Sequence, residues 1–287
     1  MKITFFGVRG SIPSPGPLTM IYGGNTPSVL IETDGQSFFI IDAGSGIRRI
    51  GQYLIRKNYP IKEINILFTH THWDHIMGLP FFKPIYDKNT KIIIWGPSSN
   101  GTKSLKEIIT GQMVKEYFPV NSEELEATFE ANELKDRENF RLNGCEIHTC
   151  ALNHPVKTLG YRISFKGKII STCWDHEMYT KKNCTAPVEN NEKIFNFLKK
   201  SDLIIHDAQY LKSEYEKEYN GWGHSTFEFI LQNLNKFSSA NIALFHHEPS
   251  RTDKQLKTIE SFCKNYAQKN YRATNIFVAK ESFSITI

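Results

Sequence analysis

Very little in this chain takes it out of the ordinary globular class. Cysteine is scarce and odd in number, five in 287 residues, at Cys145, Cys150, Cys173, Cys184 and Cys263, with no CxxC pair and no ladder spacing. That excludes a disulfide scaffold and fits the reduced thiols of a cytoplasmic protein. No apolar run nears the length of a membrane span, and the stretch before Arg9 is too short for a signal peptide, so no membrane association is expected. Low-complexity segments and flexible linkers are missing as well. Charge of one sign never accumulates: Lys and Arg number 35 against 30 Asp and Glu, a formal net charge of +5. Lysines such as Lys199, Lys200, Lys212 and Lys217 are scattered, without the long basic block of a nucleic-acid track. The balance permits a phosphate-bearing substrate without implying one.

What is present suits one large α/β domain over 1–287, with 40% hydrophobic residues to fill its core. Short apolar runs bounded by glycine and proline read as strands at Ile3–Val8, Ser28–Glu32, Phe38–Asp42, Ile64–Phe68 and Lys91–Trp95, with a helix over Ile47–Lys57. Ser104 to Glu116 reads as helical, and the pattern then weakens through the acidic stretch Glu123 to Glu138. An insertion or lid around 98–139, or an ordinary surface excursion, both fit that weakening. Strands resume at Cys145–Ala151, Leu159–Phe165 and Lys168–Thr172. Helices at Val188–Lys199, Phe227–Leu234 and Asp253–Ala267 then alternate with strands at Leu203–His206 and Ala240–Phe245. Two mixed strand and helix halves are implied, layered as an α/β sandwich.

The densest chemistry is the run Thr69-His70-Thr71-His72-Trp73-Asp74-His75, directly after an apolar strand. Three imidazoles and a carboxylate within six positions are costly to bury unpaired, so metal binding explains them better than a polar surface loop. Further polar residues stand at the ends of later strands: His154, Asp175, Asp207, and His246 beside His247. Each alone reads as a satisfied loop residue; together they mark the rim of a sheet where active sites assemble. Asp42, ending its own strand, is either an acceptor for a ligand histidine or a structural turn aspartate. Arg9, in Gly7-Val8-Arg9-Gly10, is either a phosphate contact or a surface turn residue.

This layout resembles the metallo-β-lactamase superfamily, whose members carry HxHxDH, a histidine, a bridging aspartate and a final histidine at strand ends of a four-layer αββα sandwich. The resemblance implies two divalent ions, zinc first and manganese or iron as substitutes. His70, His72 and His154 would hold one ion, Asp74, His75 and His246 the other, and Asp175 would bridge them, with His247 behind His246. Gly221-Trp222-Gly223-His224-Ser225-Thr226 resembles the GHST loop of ribonuclease Z-like phosphodiesterases, and His206-Asp207-Ala208 resembles their HEA segment with aspartate for glutamate. Gly7 to Pro13 and Tyr22 to Thr26 are similar to the glycine-rich loops of that group. Two departures stand out: His176 follows Asp175 where the family has a small residue, and the arm with which ribonuclease Z grips transfer RNA is not evident.

By that resemblance His224 is the general acid oriented by Asp207, and Asp74 accepts a proton as well as contacting metal. Without it, Ser225-Thr226 capping the next helix, with His224 incidental, explains the segment too. The expected activity is hydrolysis of a small phosphodiester, a cyclic nucleotide first, by metal-hydroxide attack. The alternatives are an endoribonuclease acting on RNA, a thioester hydrolase of glyoxalase II type, and a non-catalytic metal or nucleotide sensor. Phe82, Tyr117, Phe118, Tyr210 and Trp222 are available to stack on a base. A homodimer is in keeping with similar proteins.

Overall fold

Runs such as Val29-Leu30-Ile31 and Phe38-Phe39-Ile40-Ile41 lack polar alternation because both faces of their strands are covered, and every one of these residues is buried. A computed structural model describes residues 1–34, 37–57, 62–98, 101, 103–179, 190–271 and 274–287. In it the first half forms β1 (Lys2–Gly7), β2 (Ser28–Glu32), β3 (Phe38–Ile41), β4 (Glu63–Leu67), β5 (Lys91–Pro97) and β6 (Thr128–Leu134). Helices α1 (Ile47–Arg56), α2 (Trp73–Ile76) and α3 (Leu105–Thr110) lie between them. The second half forms β7 (Asn139–Leu142), β8 (Cys145–Ala151), β9 (Leu159–Phe165), β10 (Lys168–Cys173), β11 (Leu203–Asp207), β12 (Asn241–Phe245) and β13 (Asn275–Val278). Its helices are α4 (Asn190–Leu198), α5 (Lys212–Glu214), α6 (Phe227–Gln232), α7 (Leu234–Phe237) and α8 (Asp253–Asn270), and β14 (Ser284–Thr286) returns to the first sheet.

The strand order is β14-β1-β2-β3-β4-β5-β6 in one sheet and β13-β12-β11-β10-β9-β8-β7 in the other. Strands β3 to β6 run parallel, as do β10 to β13. Three apolar clusters separate four layers. Phe5, Phe39, Tyr161, Trp174 and Phe245 pack between the sheets. Ile47, Ile50 and Leu54 of α1 pack on the first sheet, with Leu105 and Ile109 of α3. Leu198, Leu231, Leu256 and Cys263 cover the second. This is the four-layer αββα sandwich that the resemblance implied, and the layered α/β sandwich of the strand and helix pattern.

Several boundaries differ from the sequence reading for local reasons. Helix α3 stops at Thr110, capped by Gly111, whose N–H bonds to Glu107 O, instead of running to Glu116. The helix expected over Phe227–Leu234 breaks at Asn233 and restarts as α7. Positions 188 and 189 of the expected Val188–Lys199 helix lie outside the described residues, as do 99, 100 and 102 of the 98–139 segment. Elsewhere in that segment, β6 and the start of β7 are edge strands of the two sheets, largely exposed, which is why their apolar period was weak. No described helix is long and apolar enough to cross a membrane.

Candidate active site

The carboxyl ends of six strands meet on one rim. Asp42 follows β3, the loop Thr69 to His72 and α2 follow β4, His154 follows β8, Asp175 follows β10, Asp207 ends β11 and His246 follows β12. The two sheets are tied together at this rim, where Gly10 N–H donates to His247 O at 2.8 Å and His247 N–H to Val8 O at 2.9 Å. Ser11, Asp42, Asp175 and His246 all have φ between 54° and 61°. Left-handed backbone is uncommon outside glycine, and here it turns four side chains into one place as the strands end.

His70, His72 and His154 converge as one group, and Asp74, His75, Asp175 and His246 as a second, with ligand-capable atoms within 4.8 Å of one another in each. His154 Nε2 stands 3.1 Å from His72 Nδ1, and His75 Nε2 stands 3.4 Å from His246 Nε2. Asp175 faces both groups. Its Oδ2 is 3.6 Å from His70 Nε2 and 3.9 Å from His154 Nε2, while its Oδ1 is 3.2 Å from His75 Nε2 and 3.4 Å from His246 Nε2. Asp74 Oδ2 completes the second group, 3.1 Å from His246 Nε2 and 3.3 Å from His75 Nε2. Donors about 2.1 Å from a tetrahedral ion stand roughly 3.4 Å apart, so these separations suit divalent metal. His70 Nε2, in the first group, and Asp175 Oδ1, facing the second, are buried without a hydrogen-bond partner, a costly state that a cation in each group relieves.

Four of the five convergent rings are held from behind through the other nitrogen, the usual arrangement for metal-facing histidines. His75 Nδ1 meets Asp42 Oδ2 at 2.8 Å, His154 Nδ1 meets Gly223 O at 2.9 Å, and His246 Nδ1 meets Gln209 Oε1 at 2.8 Å. Thr69 Oγ1 lies 3.1 Å from His70 Nδ1. Asp42 also accepts from Thr69 N–H, Thr69 Oγ1 and the Trp174 indole, each at 2.8 Å. Of its two sequence readings, Asp42 therefore takes the first: it orients His75.

Burial sets the protonation of the first group. It pushes His70 well below the usual histidine range, lowers His72, and takes His154 down to about 4, so all three are neutral donors near pH 7. In the second group burial alone would raise Asp74 and Asp175. His75 and His246 nevertheless hold both carboxylates well below their usual range.

On the wall of the same cleft, His224 Nδ1 is 2.7 Å from Asp207 Oδ2, and its ring stacks 4.9 Å from that of His246. Burial pulls the His224 imidazole down, but Asp207 outweighs it and lifts the pKa to about 9. Asp207 also accepts from the backbone N–H groups of Asp175, Gln209 and Ser225, so the pair is locked in place. Thr226 caps α6 through Phe229 N–H, and His224 stands in the cleft as well. The cleft has a volume of about 430 Å³ and includes Ser11, His72, Trp73 and Asp175 in its lining.

Residues 1–270 match the family described as Anti-Pycsar protein Apyc1. The chain belongs to that family. Ribonuclease Z of Pyrococcus abyssi is 26% identical over 297 residues, covering 90% of this chain and 89% of its own. Among solved structures, the metallo-β-lactamase fold protein YhfI from Bacillus subtilis superposes with a TM-score of 0.67 at 14% identity, covering 99% of each chain. Human tRNase Z, short form, superposes at 0.64 and 19% identity, covering 100% of this chain and 99% of its own. This Apyc1-family chain is a metallo-β-lactamase-fold hydrolase related to ribonuclease Z.

Not every residue singled out in the sequence reaches the site. Arg9 is fully buried and donates to the carbonyls of Gly23, Glu248 and Arg251, so it neither meets a substrate nor lies on the surface. His247 points away from the cleft, to Ala279 O at 2.7 Å, and is not behind His246. His176 accepts from Asn153 N–H and ties loops together. Phe82 and Tyr210 are buried and offer no stacking face, whereas Tyr117 is 82% and Trp222 60% exposed. Trp73, 77% exposed inside the HxHxDH run, was overlooked as an aromatic wall, though its place in that run was a sufficient signal. Gln209 was missed too, and no spacing announces it. Residues 103–118 help wall a second cleft, of about 600 Å³, that shares Thr71 and Trp73 with the first.

Proposed function

We propose that the protein is a dinuclear metal-dependent phosphodiesterase whose substrate is a small phosphodiester of the cyclic nucleotide class. The observation that carries this reading is His224, held by Asp207 at 2.7 Å and lining the same cleft as members of both donor groups. In this reading His70, His72 and His154 hold one ion, Asp74, His75 and His246 the other, and Asp175 both. Nitrogen and oxygen donors without thiolate favour zinc, with manganese or iron as substitutes. Two such ions supply an activated water and polarise a phosphoryl oxygen.

The chain's own residues do the rest. Asp74, its Oδ2 fixed by Ser11 N–H at 2.8 Å, takes the proton that the attacking water loses. His224 commits Nδ1 to Asp207 and delivers a proton from Nε2 to the departing ribose oxygen. That oxygen leaves poorly as an alkoxide, so the proton is worth roughly 10²–10⁴ in rate. One P–O bond forms, one breaks, and a cyclic 3′,5′ ester becomes a nucleoside monophosphate. A thiolate leaves without such a proton, which is why the pair favours phosphodiester over thioester. A cleft of about 430 Å³ falls among the pockets of small ligands, roughly 300–1,000 Å³.

An endoribonuclease is the second reading, supported by the ribonuclease Z relative, 89% of whose length this chain matches. The proposed setting is the cytoplasm, supported by four free, buried cysteines among the described residues. Residues 103–118 would border the bound substrate from the side of the second cleft.

The test is a hydrolysis screen of metal-loaded protein against cyclic mononucleotides, cyclic dinucleotides, bis-p-nitrophenyl phosphate, precursor transfer RNA and thioesters, run beside His224→Ala. Cyclic nucleotide cleavage is expected, slowed about 10²–10⁴-fold in the variant with metal content retained. Cleavage of precursor transfer RNA alone would decide for the second reading. An unslowed variant would remove His224 from its role.

A further inference from the structure

We infer that Glu177 is a positioning residue for the proposed reaction: its carboxylate braces the loop Gly221 to His224 and, through it, sets His224. The inference rests on reading His224 as the proton donor. Glu177 is 3% exposed and is absent from the lining of the cleft, so it acts only through its neighbours. Its Oε1 accepts from Tyr215 Oη at 2.5 Å and from Gly221 N–H at 2.7 Å, and its Oε2 from Gly223 N–H at 2.9 Å. Gly221 and Gly223 both have φ of 88°, a backbone that glycine adopts without strain and that aims successive N–H groups at one anion.

The brace is closed on its other side. Glu177 N–H donates to Asn153 O at 2.9 Å, and Asn153 Nδ2 donates to Glu177 O at 2.9 Å. Asn153 directly precedes His154, and His154 Nδ1 meets Gly223 O at 2.9 Å. Glu177 thus links the loop bearing His154 to the loop bearing His224 at a fixed spacing. The loops touch closely: a Cβ on Gly223 would fall 2.2 Å from His154 Nδ1. A carboxylate suits this place because three donors converge on it and it has only acceptors. Glutamine of the same size would turn an N–H towards one of them.

The test separates positioning from general support of the fold by the leaving group. Metal-loaded wild type, Glu177→Gln, His224→Ala and the double variant are compared on 3′,5′-cyclic AMP, whose ribose oxygen needs a proton, and on bis-p-nitrophenyl phosphate, whose p-nitrophenolate does not. Glu177→Gln should lose on the order of 10-fold or more in kcat on the cyclic ester and little on the aryl ester. The double variant should be no slower than His224→Ala, because residues acting through one another do not lose rate independently. Equal losses on both substrates, or losses that multiply in the double variant, would overturn the inference. If His224→Ala shows no leaving-group split, the proton-donor reading has failed and the inference falls with it. If His224→Ala shows the split and Glu177→Gln does not, only the inference has failed. Should Glu177→Gln not fold, Tyr215→Phe removes one of the three donors and carries the same comparison, with a smaller loss in the same direction. Turnover of neither substrate by wild type would sink both.

Discussion

His206 shows at the residue scale how a side chain can stand beside the chemistry without joining it. It is fully buried on β11, its Nδ1 is 2.8 Å from Asp207 O, and its Nε2 has no partner. Burial lowers its pKa, so the folded protein keeps it neutral where the unfolded chain binds a proton. A lowered folded value means stability that is complete above the unfolded pKa and is lost as pH falls below it. Below about pH 6.5 this one group should therefore cost up to roughly 1.4 kcal/mol per pH unit until its folded pKa is reached. His206→Asn keeps a donor for Asp207 O and does not titrate. Urea unfolding between pH 7 and 5 should show a shallower loss of stability in that variant. An identical slope would mean that His206 is not the group responsible.

Among the elements, α1 shows stability supplied far from the chemistry. Ile47, Ile50 and Leu54 recur at helical spacing and are fully buried against the first sheet, while Arg56 is exposed in the last turn. Phe82 packs on the same face, with Gly51 allowing close approach: a Cβ there would lie 3.1 Å from the Phe82 ring. Ile50→Ala should cost about 2–5 kcal/mol of unfolding free energy yet leave the rate per folded, metal-loaded molecule unchanged. A large fall in kcat at full occupancy would show that α1 reaches the site. The edge strands teach a different lesson. β6 buries only Leu134 of its seven residues, so its sequence reads like a loop even though β5 pairs with it along its whole length.

For the whole molecule, the donor groups sit where the two sheets converge, with residues drawn from both halves. Filling them should hold the halves together. A ligand bound only by the folded state adds about 2.7 kcal/mol at 100 times its Kd. Removing divalent metal with a chelator should lower the melting temperature, and zinc should restore it. Release of metal confirmed by elemental analysis, with no change in melting temperature, would sink the assignment of the two groups.

The chemistry was legible from sequence where it is local. The HxHxDH run and the apolar strands each lie within a few consecutive residues, so spacing carries their meaning, whereas the Gly221 to Thr226 loop was legible only through its resemblance to a known motif. Folding was needed wherever the partner is distant. His246 and His247 are neighbours just past one strand end, where His246 takes a left-handed backbone; only the packed sheets decide which of the two side chains faces the cleft. The same holds for Asp42 behind His75, Gln209 behind His246, and Glu177 beneath the His224 loop, 33, 37 and 46 residues from the groups they hold. Arg9 shows the converse: a motif position suggested a phosphate contact, and packing spent its guanidinium on three carbonyls. Donor type is written in the chain. Which donors face one another depends on which strand ends meet, and the long-range burial of the core between the sheets decides that.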